Sequence, residues 1–181
     1  MNHLGTKTIE TKRLILRKFD MSDAEYMYYN WASDDDVTKY ITWPSHSNIE
    51  VSKNFVSKIT KDYESEIKYE WCIELKENGE AIGDISAPRV FDNIDTVEIG
   101  YVLGKSYWNK GIITEALNEV IKFFFEEIGV NRIEAKHDVQ NPASGEVMKK
   151  CNMQFEGVLR QAGKNNTGIC DLAVYSILKN N

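Results

Sequence analysis

Trp108-Asn109-Lys110-Gly111-Ile112-Ile113-Thr114-Glu115-Ala116 is the stretch of this chain best suited to hold an anion. A glycine turn that opens a long apolar helix leaves the first amides of that helix without acceptors, at the positive end of its dipole. Lys105 and Lys110 add local positive charge, and a diphosphate is a natural guest. Read plainly, the same residues make an ordinary strand-to-helix connection with solvated lysines, and the local pattern does not choose between the two. Just upstream, Gly100-Tyr101-Val102-Leu103-Gly104-Lys105-Ser106 is close to the phosphate loop of nucleotide triphosphatases, which needs Gly-x-x-x-x-Gly-Lys-Ser/Thr between a strand and a helix. Here the spacing is one residue short and the apolar helix begins only near Ile112, so Lys105 and Ser106 cannot cap it. Cys72, Cys151 and Cys170 are too scattered for a disulfide framework, and no Cys-x-x-Cys or His-x-x-x-His spacing offers a metal cage, so no metal is expected. Cys151 has no basic neighbour arranged to generate a thiolate, which argues against a nucleophilic cysteine.

The elements that must position the glycine turn are legible on both sides of it. Residues 97–103, Val-Glu-Ile-Gly-Tyr-Val-Leu, read as a nearly continuous apolar, centrally buried strand. Ile113, Ala116, Leu117, Val120, Ile121, Phe124 and Ile128 recur at helical spacing, with Gly129 as the stop. Ile133, Ala135, His137 and Val139 alternate as a strand, so strand, helix and strand imply a parallel pair. His137 on that strand reads as a sheet histidine. Asn141-Pro142 opens a short helix carrying Val147, Met148 and Cys151. Residues 154–161 and 169–178 flank a Lys164-Asn165-Asn166-Thr167-Gly168 turn as an antiparallel hairpin. Upstream, residues 13–17 read as a first strand, and Ser22-Asp23-Ala24-Glu25 as a capping box starting a helix that runs to Ala32. Ser47-Asn48-Ile49-Glu50 repeats that signature before Val51, Phe55 and Ile59. Tyr69, Trp71, Ile73 and Leu75 then alternate as a strand, Asn78-Gly79 marks a tight hairpin turn, and residues 81–87 return. The sum is a mixed α/β sheet of about seven strands with about four helices. No repeat or linker interrupts residues 11–178, so the chain reads as one domain over 1–181.

Composition bounds the partners. The 181 residues include 28 acidic and 22 basic side chains, a net charge of −6 that disfavours broad nucleic-acid binding and suits cationic substrates. No apolar run approaches the length of a membrane span, and the N-terminus has no signal-peptide core, so a soluble protein of the reducing cytoplasm is expected.

Taken in order along the chain, these residues resemble the GCN5-related N-acetyltransferase (GNAT) family, within it the RimJ/RimL-like branch that acetylates ribosomal-protein N-termini. The opening strand Thr11-Lys12-Arg13-Leu14-Ile15-Leu16-Arg17, the segment from Asp34 to Tyr40 with Trp43-Pro44-Ser45-His46, the turn Trp108-x-Lys110-Gly111-x-x-Thr114-Glu115-Ala116 and the late helix with Asn141-Pro142-x-Ser144 and Lys150-Cys151-Asn152-Met153 carry the likeness. It covers nearly the whole chain. The resemblance implies a sheet whose central parallel strands splay apart and hold acetyl-coenzyme A as cosubstrate. Backbone groups of Tyr101, Val102 and Leu103 would bond its pantetheine arm and acetyl carbonyl. Asn141 would contact the pantetheine, and Trp108, Asn109, Lys110, Gly111, Ile112, Ile113 and Thr114 would form the diphosphate turn. Trp108 departs from the family's usual Arg/Gln, a change common in this branch, and Ile113 stands where a small residue is usual, a bulk expected to narrow or shift the turn.

In such an enzyme an amine attacks the thioester directly, so the site must present a neutral amine, stabilise an oxyanion and protonate a thiolate. Glu98, the only carboxylate of its strand, is the candidate base, directly or through water; a cross-strand ion pair is its plain reading. The tyrosine that many family members use as acid is Met148 here, so the resemblance passes the acid role to Ser144. Trp43 and His46 fall where the branch forms its acceptor wall. The expected acceptor is a primary amine, foremost a ribosomal-protein N-terminus, toward whose basic tail Asp34-Asp35-Asp36 offers negative charge; polyamines and aminoglycosides are the small-molecule alternative, and a non-catalytic acyl-coenzyme A sensor the other. A monomer and a homodimer are both compatible with the sequence, with no membrane or direct nucleic-acid partner.

Overall fold

A computed structural model of the chain describes residues 1–180. Its sheet runs in the order β1-β2-β3-β4-β5-β6-β8-β7. The strands are β1 (Ile9–Glu10), β2 (Leu14–Arg17), β3 (Glu70–Leu75), β4 (Glu80–Phe91), β5 (Thr96–Leu103), β6 (Arg132–Asp138), β7 (Gln154–Asn165) and β8 (Gly168–Leu178). The helices are α1 (Asp23–Met27), α2 (Asp35–Thr38), α3 (Ile49–Asp62), α4 (Ile112–Phe123) and α5 (Pro142–Lys150). The additional strand is β1, two residues long, and the additional helix is α2, four residues long. Neither is long enough to show a period.

Period-two alternation on the central strands sends side chains to two different cores. Leu14, Leu16, Trp71, Ile73, Val97, Ile99, Ile133 and Ala135 pack under α4 and α5. Cys72, Ala81 and Val102 face the other way, against Met27, Trp31, Val56 and Ile59 of the early helices. Every neighbouring pair of strands is antiparallel except β5 and β6. These two are paired only from Thr96 opposite Arg132 to Ile99 opposite Ala135. Both continue beyond that point, β5 to Leu103 and β6 to Asp138, so they part and leave a wedge between them.

Local chemistry places the helix ends differently from the capping boxes. Ser22 makes no cap bond; its hydroxyl donates to Asp20 Oδ1 at 2.8 Å, and Asp23 Oδ2 accepts the Asp20 amide instead. Helix α1 widens into a π-type turn over Tyr28–Ala32, so the helical path does end at Ala32. For α3 the cap is Asn48, one residue after Ser47, and its side chain accepts from the Glu50 amide. The β3–β4 connection is a four-residue turn over 76–79 with Gly79 at φ 73°, rather than a two-residue hairpin. Gly129, at φ 80°, ends the last turn after α4 as expected. Among the described residues no helix is long and apolar enough to cross a membrane.

Candidate active site

Where β5 and β6 part, a cleft of about 500 Å³ opens. Tyr101, Val102 and Leu103 of β5 form one lip, and Ser144, Val147 and Lys150 of α5 form the other with Asn141 at the mouth. Gly111, Ile112, Ile113 and Thr114 close one end, and Val37, Tyr40 and Ile41 stand opposite.

The glycine turn is built to offer amides. Asn109 and Gly111 have φ of 59° and 71°, the left-handed region in which Gly111 pays no Cβ penalty. Gly111 is the N-cap of α4 and provides no side-chain acceptor, so the amides at this helix start lack a cap and open on the cleft. Ile113, despite its bulk, is buried in the core that α4 makes with the sheet. The indole N–H of Trp108 donates to the Leu103 carbonyl at 2.8 Å, fixing the turn to the end of β5.

Across the cleft, Ser144 Oγ donates to the Tyr101 hydroxyl at 3.2 Å, and that hydroxyl donates to the Ser144 carbonyl at 2.9 Å. Burial pushes the Tyr101 phenol above its ordinary value, against the opposing pull of the Ser144 bond, so it stays protonated. Asn141 precedes α5 without spending its side chain on a cap bond. Met148 is buried in the core. Burial raises the Cys151 thiol to about 12, and its Sγ lies 3.6 Å from the Thr114 carbonyl, so it is a packed thiol rather than a nucleophile.

Several expected site residues lie elsewhere. Lys110 does not line the cleft; its ammonium sits over the Tyr107 ring at 5.6 Å. Lys105 is turned to Asp36, with Nζ 2.5 Å from Oδ2, so its charge is spent across the surface. Glu98 also lies outside the cleft lining. Its Oε2 accepts from Lys136 Nζ at 2.6 Å and from Arg89 at 3.3 Å, so the cross-strand ion pair is present. On β5 it shares a face with Val102, toward the early helices, whereas Tyr101 faces α5. His46 is buried with Nδ1 2.7 Å from Ser52 Oγ, its ring packed at a tilt between Trp43 and Phe55. Burial lowers its pKa, which keeps the ring neutral. Trp43 and His46 therefore brace the wall behind Val37, Tyr40 and Ile41 and do not line the cleft. The acidic triplet, though at the surface, has partners within the chain: Asp34 caps α2, Asp35 accepts from Ser45, and Asp36 holds Lys105.

Among the cleft-lining residues that sequence reasoning did not assign to the site are Val37, Tyr40 and Ile41, in a segment without period, and Ala143, Val147 and Lys150 on α5. Ala143, Val147 and Lys150 fall at i, i+4 and i+7, one helix stripe, and that spacing was a readable signal.

Residues 13–154 match the model of the acetyltransferase (GNAT) domain. The chain belongs to the GNAT acetyltransferases. It is therefore an acetyl-coenzyme A-dependent N-acetyltransferase by family. Among curated proteins it is 31% identical to an uncharacterised N-acetyltransferase p20 of Bacillus licheniformis, over 96% of this chain and 97% of that one. A ribosomal-protein-serine acetyltransferase of Escherichia coli is 35% identical over 97 residues, 54% of each chain. Among solved structures, the microcin C7 self-immunity acetyltransferase MccE, determined with acetyl-CoA and AMP, superposes with a TM-score of 0.83 at 27% identity, covering 93% of both chains. Among the described residues no group of His, Cys, Asp and Glu is placed to hold a metal ion.

Proposed function

We propose that this GNAT enzyme transfers the acetyl group of acetyl-coenzyme A to the N-terminal α-amine of a protein by direct attack in a ternary complex. One observation carries the donor half: the uncapped start of α4 opens into the same cleft as the end of β5 that has parted from β6 and the Ser144 hydroxyl. The MccE complex with acetyl-CoA and the match to a ribosomal-protein-serine acetyltransferase support the donor and the acceptor class in turn.

In this reading the amides of Gly111, Ile112, Ile113 and Thr114 take the diphosphate, with the α4 dipole favouring its charge. Trp108 and Asn109 shape the turn, and Lys110 raises the local potential from beside it. The lip of β5 at Tyr101, Val102 and Leu103 has no strand partner on the β6 side and, apart from the Leu103 carbonyl that Trp108 takes, keeps backbone groups for the pantetheine arm and the acetyl carbonyl. Asn141 adds an amide side chain at the mouth. Ser144 delivers the proton to the departing thiolate, its hydroxyl already ordered by Tyr101. Glu98 accepts the amine's proton through water from the early-helix face. Trp43 and His46 hold the acceptor wall in place from behind. Most of the rate comes from positioning, since a well-placed amine and thioester need little more than a proton path.

A small amine such as a polyamine is the second acceptor class, suited to the acidic protein as a whole. Calorimetric titration with acetyl-coenzyme A, using Gly111→Glu as the control, tests the donor site: one-to-one binding abolished by the carboxylate is expected. An acceptor screen of basic N-terminal peptides against spermidine then separates the two classes. Turnover of spermidine alone would replace the protein acceptor, and tight donor binding without turnover on any amine would leave an acyl-coenzyme A sensor. For Glu98, Glu98→Gln is expected to lower kcat by about 10²- to 10⁴-fold with donor binding intact. Unchanged kcat would leave Glu98 with its ion pairs alone.

A further inference from the structure

Arg13, in the turn before β2, is wired into the underside of the glycine turn from far away in sequence. Its Nη1 donates to the Lys110 carbonyl at 2.8 Å, its Nε to Glu115 Oε2 at 2.6 Å, and its backbone amide to Glu115 Oε1 at 2.9 Å. Thr11 adds a hydroxyl bond to the same Glu115 oxygen at 2.6 Å. Both Glu115 oxygens are thus used, and the first turn of α4 is clamped to the chain around β2. A Cβ built on Gly111 would meet Arg13 Nη2 at 3.7 Å, so the guanidinium lies directly against the residue whose amide starts the turn.

The peptide between Lys110 and Gly111 is planar and trans, so its carbonyl and its N–H point in opposite directions. Holding the Lys110 carbonyl on the Arg13 side fixes the Gly111 N–H on the opposite side. Between two left-handed residues, Asn109 and Gly111, that peptide is the one most easily flipped, and a flip would put a carbonyl where the anion needs a donor. We infer that Arg13 is a positioning residue for the donor site: it locks the orientation of the Lys110–Gly111 peptide so that the turn presents a donor to a diphosphate it does not itself touch. This rests on the donor site proposed above. It adds that the opening strand's arginine, remote from the reacting atoms, sets affinity for the diphosphate portion alone.

The test compares Arg13→Gln, Arg13→Lys and Glu115→Gln in the full chain with two donors, acetyl-coenzyme A and S-acetylpantetheine, which lacks the diphosphate. Arg13→Gln is expected to raise KM for acetyl-coenzyme A about tenfold with kcat within about twofold of the parent, while kcat/KM for S-acetylpantetheine stays at the parent value. Arg13→Lys, which keeps the charge but cannot bridge Glu115 and the Lys110 carbonyl together, should show most of the same loss. Glu115→Gln, which leaves the Lys110 contact in place, should show less. A readout independent of turnover is the Gly111 amide resonance: it should shift on addition of coenzyme A in the parent and be broadened or doubled in free Arg13→Gln. Equal losses with both donors, or an unchanged Gly111 resonance with unchanged KM, would overturn the assignment. Failure of the parent to bind coenzyme A would instead sink the donor site itself.

Discussion

Tyr101 and Ser144 exchange hydrogen bonds across the cleft: the serine hydroxyl donates to the phenol oxygen, and the phenol donates to the serine's own carbonyl. The pair joins β5 to the first turn of α5, where the two central strands have already separated. Removing the hydroxyl in Ser144→Ala takes away the proton source beside the cleft but leaves the bond that holds α5. It should lower kcat by about 10²-fold, within the range for a lost general acid, with donor affinity unchanged. Tyr101→Phe does the reverse, leaving the Ser144 carbonyl without its donor, and should cost about 1–3 kcal/mol of stability in urea unfolding while kcat falls less than in Ser144→Ala. If Ser144→Ala turns over like the parent, the thiolate takes its proton from solvent.

A second tie acts on the acceptor side. Asn166, in the turn between β7 and β8, donates from one side-chain nitrogen to the carbonyls of Thr38 and Trp43, each at 2.8 Å. It thereby pins the hairpin tip to the segment that carries Tyr40 and Ile41 into the cleft. Asn166→Ala should raise KM for a peptide acceptor about three- to tenfold, while the coenzyme A dissociation constant stays put, because a loosened wall misplaces one substrate only. Equal changes for both substrates, followed by steady-state kinetics and calorimetry, would count against a local clamp.

Which parts of this arrangement could be read from the chain follows from what periodicity can carry. The apolar stripe of α4, the alternation of β3 and β6, the apolar run of β5 and the glycine that opens α4 are all visible in the sequence, and the structure places these elements where the pattern does. Ser22-x-x-Glu25 also had the right spelling, yet Ser22 itself has helical backbone angles and its hydroxyl donates to Asp20, so it makes no cap. Asp36 and Lys105 looked like free charge, and they pair with each other over a sequence distance that no pattern reports. The reach of Arg13 to Lys110 and of Asn166 to Thr38 is invisible for the same reason: each is a single residue meeting a carbonyl, and carbonyls have no sequence.

Gly145 follows Ser144 and is buried because α5 lies almost on β6 there. A Cβ at that position would stand 2.6 Å from His137 Nε2 and 3.4 Å from the Tyr175 hydroxyl. His137 cannot easily yield, since its Nδ1 is held 2.7 Å from the Asp138 carbonyl and its ring packs 5.6 Å from Tyr175. Gly145→Ala should therefore destabilise by about 1–3 kcal/mol, the usual cost of overpacking, and displace Ser144 enough to lower kcat. Pairing it with His137→Ser, which clears the space, should recover part of the lost stability in a denaturation series; no recovery would mean the strain lies in the helix.

Asp84 gives the clearest dependence of stability on pH. It lies on β4 opposite Cys72 and Val102, facing the early-helix core. Burial, with Glu70 repulsion adding to it and Lys68 opposing, raises its carboxyl well above the usual range. A carboxyl whose folded pKa exceeds its unfolded value of about 3.9 binds its proton more tightly in the native state. Stability therefore falls as pH rises from about 4 toward the folded pKa, and the loss persists above it. Asp84→Asn removes the ionisation, so it should stabilise the protein at pH 7 by about 1 kcal/mol, or roughly 2–4 °C in a chain of this size. The gain should shrink as pH falls and be smallest at pH 4, where Asp84 is protonated in the fold and about half protonated in the unfolded chain. Thermal melts of the two proteins from pH 4 to pH 8 check this, and a variant less stable at pH 7 would show that the ionised carboxylate is compensated in the fold.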